Sequence, residues 1–409
     1  MNNMFEMKKL YLLAACLSVA IISCQKQGPT KLEEEIVEEE EVVTLPKTRL
    51  SLDETKMKNI GPSNDFTFKY FLDNYRFGEN LLLSPLGIQT TAAMIGNYVK
   101  DHTMLAKMLA FGNVGMDEVN DYFKNLITDL SGERFNKELT FATALMTDSM
   151  AKKYPEDFIG VLKSFYLADY LEFTAKSLVE QPVGSRPEDV WCAEKTNGMI
   201  SSAPYPVEAG ESSLFSAICF KGEWKDKFDK NLTAPQQFLQ NAEEWTLMPM
   251  MHKVAKINYY KCDDFNAVSL PFGDGTFELS VILPAVPFNI YGLLKTLDES
   301  VWDKMRHGMV NKDINLSIPC FSASSTHQEL LIYERGNDVG GACVLGQKAT
   351  FKMDEDGASA AAVTQSKALM APGHGEKEIV SFLANSPFVY TISEAGSGLI
   401  LFIGVFSGV

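Results

Sequence analysis

The sequence predicts an α+β domain, helical in its first part and dominated by large sheets in its second. Three observations predict it. From Asn64 onward, Phe66, Phe68, Tyr70, Phe71 and Leu72 form an apolar face at helical spacing, with Asn64 or Asp65 placed to cap it. Residues 86–98 and 105–109 read as further helices. After residue 210, near-continuous apolar runs bounded by Gly, Pro or Asp take over: 214–220, 267–270, 277–283, 314–318, 388–392 and 399–405. Runs of that kind are strands buried on both faces. Third, residues 51–409 have a globular composition and enough length for one large core or two smaller ones.

The chain ahead of that domain has a different character. Lys8 and Lys9 precede an apolar run from Leu10 to Ile22, too short for a comfortable membrane span and of signal-peptide proportions. It closes Ile21-Ile22-Ser23-Cys24, which resembles the lipobox of bacterial lipoproteins. That resemblance implies a signal peptide over 1–23 and acylation of Cys24, with residues 24–50 as a lipid-anchored acidic tether. Each buried methylene of an acyl chain is worth about 0.8 kcal/mol, so several chains anchor firmly. The expected address is the bacterial outer membrane, facing the periplasm or the exterior. Glu33, Glu34, Glu35, Glu38, Glu39, Glu40 and Glu41 make the tether self-repelling, and they supply a large share of the net charge of −16. The acidity therefore says little about a partner. No basic stripe points to nucleic acid.

Cysteine spacing carries no framework. With Cys16 and Cys24 set aside, Cys192, Cys219, Cys262, Cys320 and Cys343 are widely spread, and most read as small buried hydrophobes. A search for catalytic motifs finds no GxSxG, HExxH, P-loop or GxGxxG. His102, His252, His307, His327 and His374 show no metal-ligand spacing. The expectation is a protein that is not an enzyme and needs no cofactor or metal.

The segment from Glu355 to Ala368 is sorted by size. Read with a period of two, Ala358, Ala360, Ala362, Thr364, Ser366 and Ala368 share one face, and all are small. Ser359, Ala361, Val363, Gln365 and Lys367 share the other. Alanine is depleted in sheets, so the residues alone leave open an Ala-rich helix, a loop, or a strand able to slide between existing neighbours.

Collinear motifs resolve that ambiguity. Asn80-Leu81-Leu82-Leu83-Ser84-Pro85-Leu86, Phe220-Lys221-Gly222-Glu223-Trp224 with Phe228, Pro249-Met250-Met251, Leu270-Pro271-Phe272, Ile282-Leu283-Pro284, Pro387-Phe388 and Leu401-Phe402-Ile403-Gly404 follow one another in the order of serpin motifs. Over residues 51–409 the chain resembles a serpin, and Glu355-Asp356-Gly357 is similar to the glutamate-led opening of that family's hinge. The resemblance implies N-terminal helices packed on large, mostly antiparallel β-sheets, with an exposed reactive-centre loop at about 355–386. It implies a monomeric inhibitor whose partner is a serine protease, trapped as a covalent acyl complex when the cleaved loop inserts into the central sheet. The hinge would be Glu355, Gly357, Ala358, Ala360, Ala361 and Ala362, and a charge at Ala358 would stall insertion.

Counting the family's interval puts the bait residue at Ala371 and the bond at Ala371-Pro372. Proline is a poor leaving-side residue, so Met370-Ala371 and Leu369-Met370 stay open, with Lys367 and Lys377 as basic exceptions. The apolar options suit elastase-, subtilisin- or chymotrypsin-like enzymes. Three departures from the family accompany this. In the shutter under the central sheet, Ser84 is kept and Gly87 replaces a serine. Asp189 and Gln347 stand where an asparagine and a histidine are usual, and are expected to bond to each other. In the breach beside Trp224, Pro319-Cys320-Phe321 lacks the lysine that would pair with Glu355. The stretch from 321 to 347 is short, predicting a trimmed helix and loop. The rival expectation is a non-inhibitory serpin, acting as a surface binding or chaperone-like protein.

Overall fold

The computed structural model describes residues 42–99, 111, 115–135, 137–176, 181–335, 338–357 and 379–408, with the backbone alone at 330–335 and 338–343. Cys24, the signal and most of the tether, the 105–109 helix, Ala358, Ala360, Ala361, Ala362 and the bait residues Leu369, Met370, Ala371 and Pro372 lie outside the described residues.

In chain order the strands are β1 Leu81–Leu83, β2 Leu139–Asp148, β3 Asp169–Phe173, β4 Ser212–Phe220, β5 Ala234–Leu239, β6 Trp245–Lys261, β7 Phe265–Pro271 and β8 Phe277–Pro284. They continue with β9 Val310–Pro319, β10 Phe321–Arg335, β11 Asp338–Met353, β12 Val380–Leu383, β13 Phe388–Glu394 and β14 Ile400–Phe406. They form two sheets. One runs β1-β14-β13-β8-β7-β6-β9-β12, with β5 also on β6; the other runs β10-β11-β4-β2-β3. Most pairings are antiparallel; β4 with β11, β2 with β3 and β9 with β12 are parallel. The α+β class and the serpin-like layering are as expected.

All six anticipated runs are strands, and β13 and β14 are buried at every position. Several strands come as corrections. β1, β2 and β3 interrupt the helical part, and β10 and β11 are long despite polar sequences. Among the described residues no helix lies between β10 and β11: the shortened 321–347 stretch lies in two strands paired antiparallel from Phe321–Met353 to Arg335–Asp338.

The first long helix spans Ile60–Asn74, with Asn59 as its N-cap. Asn64 is therefore inside the helix and not its cap. Its buried side chain donates to Gly398 O (3.0 Å) and accepts from Ile400 N (3.0 Å), fixing the entry to β14. The helix Pro85–Gly96 opens with Pro at N1, where a missing N–H costs nothing. Every residue of it is buried, because it passes through the middle of the molecule between the sheets.

Three apolar clusters follow. The largest joins the Pro85–Gly96 helix to both sheets through Leu86, Ile88, Ile218, Leu345, Phe351, Tyr390 and Phe402. A second gathers Phe68, Phe71, Trp302, Ile403 and Val405 beneath the outer helices. The third packs Trp191, Cys192, Ile200, Ala203 and Val207 on Phe215, Ala217 and Cys219 of β4. Cys192 and Cys219 are buried and Cys262 and Cys320 half-buried, and these four are free thiols.

Candidate functional site

The five-stranded sheet has a seam. β4 and β11 lie side by side in parallel, from Ser213 opposite Val344 to Cys219 opposite Thr350. Each is otherwise paired antiparallel, β4 with β2 and β11 with β10. A strand entering between them can therefore be antiparallel to both, trading the slightly weaker parallel pairing for two antiparallel ones. Small residues make up half of the seam: Ser213, Ser216, Ala217 and Cys219 on one side, Gly346, Ala349 and Thr350 on the other.

Both faces of the seam are covered. Leu345, Ala349 and Ile218 point into the cluster around the Pro85–Gly96 helix. Across the other face runs the segment after the Pro187–Lys195 helix. Its Tyr205 lies 5.0 Å ring to ring from Phe215, and its hydroxyl donates to Val344 O at 2.9 Å. Lys348 Nζ donates to Ser202 Oγ at 2.8 Å, so this segment straddles β4 and β11. Gly346 is needed there, because a Cβ would meet the Tyr205 ring at 2.5 Å.

At one end of the seam sits the hinge. β11 ends at Met353, and Asp354–Gly357 form a tight turn: Asp354 N donates to Gly357 O (2.9 Å) and Gly357 N to Asp354 O (3.1 Å). The stretch following β4 grips the turn through three carbonyls. Trp224 Nε1 donates to Asp354 O (2.8 Å), Phe228 N to Glu355 O (3.0 Å) and Trp224 N to Asp356 O (2.9 Å). Trp224 is fixed by stacking on Phe272, with centroids 4.5 Å apart and planes at 12°. Gly357 forms antiparallel bridges to Glu223 on one side and to Asp354 on the other. Its φ is +132°, and a Cβ would strike Gly222 O at 2.3 Å, so no other residue fits.

Farther down the seam, Gln347 closes a buried contact with the backbone of Ser84. Ser84 N donates to Gln347 Oε1 at 2.9 Å, and Gln347 Nε2 donates to Ser84 O. Gln347 is paired with Ser216 across the seam and with His327 across the hairpin. Gly87 makes room: a Cβ there would meet Gln347 Nε2 at 2.6 Å and Ser216 Oγ at 2.7 Å. Among the described residues, the buried hydroxyls of Ser84 and Ser216 have no hydrogen-bond partner.

Ser84 and Gln347 are thus brought together, and Glu355, Gly357 and Trp224 meet at the hinge. Asp189 is not with them. The expected Asp189–Gln347 bond is corrected: Asp189 accepts from Arg186 Nε (2.9 Å) and Nη2 (3.1 Å), Gly184 N (2.7 Å) and Ala203 N (2.8 Å). Burial raises its pKa, but these donors outweigh burial and hold it below the usual range. Its work is to pin the straddling segment. The residue that faces Gln347 is Ser216 of β4, whereas Asp189 lies on the Pro187–Lys195 helix.

Cys320, in place of the expected lysine, lies beside Glu355. Burial, reinforced by the Glu355 and Asp354 carboxylates, pushes its thiol up to about 12 and keeps it neutral, and no thiol can supply the positive charge of a lysine. Charge at the hinge converges on the neighbouring acid instead. Asp356 is buried and lies 2.6 Å from Lys230 Nζ and 3.7 Å from Lys227 Nζ. No cluster of three or more metal-ligating side chains occurs among the described residues.

Comparison with known proteins agrees with this architecture. The model of a family described as "Serpin (serine protease inhibitor)" matches residues 62–331 and 344–408. A serpin-like protein of Thermococcus kodakarensis is 25% identical over 437 aligned residues, covering 97% of this chain and 98% of its own. The leukocyte elastase inhibitor of Homo sapiens is 25% identical over 363 residues, 80% of this chain and 93% of its own. Among solved structures, the thermophilic serpin tengpin in its native state superposes with a TM-score of 0.76 at 21% identity, covering 90% of this chain and 96% of its own. Human thyroxine-binding globulin gives 0.73 at 17% identity, over 86% and 99%. A seam between parallel strands, a glycine-led hinge at its end and a match across most of the domain lead to one conclusion: the chain belongs to the serpin family.

Proposed function

We propose that the protein inhibits serine endopeptidases as a suicide substrate, with elastase-, subtilisin- or chymotrypsin-like enzymes as targets. The protease serine adds to the bait carbonyl, the C–N bond breaks, and the new amino terminus leaves with a proton from the catalytic histidine. The acyl ester stays on the loop, which enters the seam as a new strand and carries the protease with it. New ladder hydrogen bonds, each worth about 1 kcal/mol, drive the movement.

The observation that carries this reading is the pair of bridges made by Gly357. They lie against Glu223 and Asp354, on the two edges of the seam. A strand continued antiparallel from Gly357 in the register of either edge brings residue 361 between Thr350 and Cys219, and residue 364 between Gln347 and Ser216. The two edges agree on every rung. Residue 364 is a threonine, whose hydroxyl suits the unpartnered Ser216 Oγ.

The test is incubation with elastase-, subtilisin-, chymotrypsin- and trypsin-like enzymes. An SDS-stable complex at the summed mass is expected, with a released fragment starting at Ala371 or Pro372. A fragment starting at Glu378 would refute the bait assignment. Failure with all four enzymes would favour a non-inhibitory binding role. We further propose that the protein is a bacterial lipoprotein anchored to the outer membrane through Cys24. Mass spectrometry of the membrane-extracted protein should find diacylglycerol on Cys24, and a water-soluble unmodified chain would refute it.

A further inference from the structure

We propose that Asp356, held by Lys230 and Lys227, is the positioning residue that presets the first rung of loop insertion, in place of an ion pair to Glu355. This rests on the inhibitory reading above. The three carbonyl acceptors of the 354–356 turn fix its position, but the direction in which the chain leaves depends on the backbone of Asp356 and Gly357. Asp356 is tied at each of its functional groups: its N–H donates to Asp354 Oδ1 (3.1 Å), its carbonyl accepts from Trp224 N (2.9 Å) and its carboxylate lies on Lys230 (2.6 Å).

Lys227 makes the arrangement specific to the seam. Its ammonium lies 3.0 Å from Glu223 and 3.7 Å from Asp356. Glu223 is the residue against which Gly357 bridges. One cation thus ties the β4 side of the first rung to the hinge side. Glu355 cannot take this part, since its neighbour Cys320 is a neutral thiol. The latch has moved one residue along the hinge, and its basic partners come from the stretch after Trp224.

After acylation, insertion races hydrolysis of the ester. A hinge already seated against both edges skips the search for the first rung, so a larger fraction of encounters ends in trapping. The latch therefore acts on the partition between inhibitor and substrate, not on the first attack.

The experiment compares wild type with Asp356→Asn, Lys230→Met and the conservative Lys230→Arg. With a protease that wild type traps, the first two should raise the excess of the stoichiometry of inhibition over one about two- to fivefold, the range open to a partly exposed ion pair. The second-order rate of acylation should stay unchanged, and Lys230→Arg should restore the wild-type value. A second measurement needs no trapping: nick the 358–378 segment by limited proteolysis and follow the rate at which the thermal midpoint rises. Asp356→Asn and Lys230→Met should slow that rise by the same factor. Unchanged stoichiometry and unchanged rise in both variants, with wild type inserting normally, would overturn the latch. A nicked wild type whose midpoint never rises would overturn the inhibitory reading, and the latch with it.

Discussion

The hinge, at one end of the β4–β11 seam, and the shutter, at its middle, are held by different forces. At the hinge, a turn is gripped through its carbonyls by Trp224 and Phe228, and its acid is held by the exposed Lys230 and the half-buried Lys227. At the shutter, the Gln347 amide closes on the Ser84 backbone in a site sealed from water, beside hydroxyls with no partner among the described residues. The hinge yields to charge, salt and acid. The shutter yields to packing and to a newcomer that can complete its hydrogen bonds. A sheet built this way opens from the hinge and is drawn shut around the inserted strand at the shutter, since stability differs along one seam.

The sharpest way to break the contrast is Trp224→Ala. It removes a buried ring, its stack on Phe272 and the indole bond to Asp354 O, at a cost of about 3–5 kcal/mol. Urea unfolding should show that loss, while Trp224→Phe should keep most of the packing and lose about 1 kcal/mol. Next comes Gln347→Leu, which leaves the Ser84 N–H buried and unpaired, at about 1–3 kcal/mol, and leaves the Ser84 carbonyl with the Gly87 N–H alone (2.9 Å). Its destabilisation should appear as faster exchange of the Ser84 amide with the hinge amides unchanged. Equal acceleration at both places would mean the seam moves as one unit. Smaller again is Ser216→Ala. The closed form loses no bond and should shift by no more than about 0.5 kcal/mol, whereas the nicked, inserted form should lose part of its extra thermal stability.

How much of this was legible in the sequence depends on distance along the chain. β4, β7, β8, β13 and β14 stand out because strands buried on both faces need no polar alternation. β10 and the shutter half of β11 do not, since Ser322-Ala323-Ser324-Ser325-Thr326-His327 and Gln347-Lys348-Ala349-Thr350 become strands through their neighbours and not through their own propensity. Ser84 is legible because it sits inside a motif, and Gln347 because it lies eight residues before Glu355. Asn64 was misread as a cap because Asn is a good cap residue; its real partners, Gly398 and Ile400, are more than 300 residues away in sequence. Lys230 and Asp356 were missed for the same reason. Nothing local in either stretch announces a partner 126 residues off.

Acid should separate hinge from shutter with the least perturbation of all. The hydrogen bond from Lys230 holds the Asp356 carboxyl below its ordinary value of 3.8, with the charges of Lys230 and Lys227 adding to it. A carboxylate with a depressed folded-state pKa stabilises the closed hinge fully above that ordinary value. The contribution is lost as pH falls below 3.8 and through the depressed pKa. Ser84, Gln347 and Ser216 carry nothing that titrates. Lowering the pH from 5 through that window should therefore speed exchange of the Trp224 indole N–H and the Phe228 amide, and leave the Ser84 amide slow until global unfolding. The other charged groups near the turn are Asp354 beside Lys352 at 3.5 Å, Glu355, and Glu223 beside Lys227 at 3.0 Å. Asp356→Asn separates them: in that variant hinge exchange should already be fast at pH 5 and change little on acidification. A variant that keeps the full wild-type acid response would show that Asp356 is not its source, and would make the hinge a turn held by its carbonyls alone.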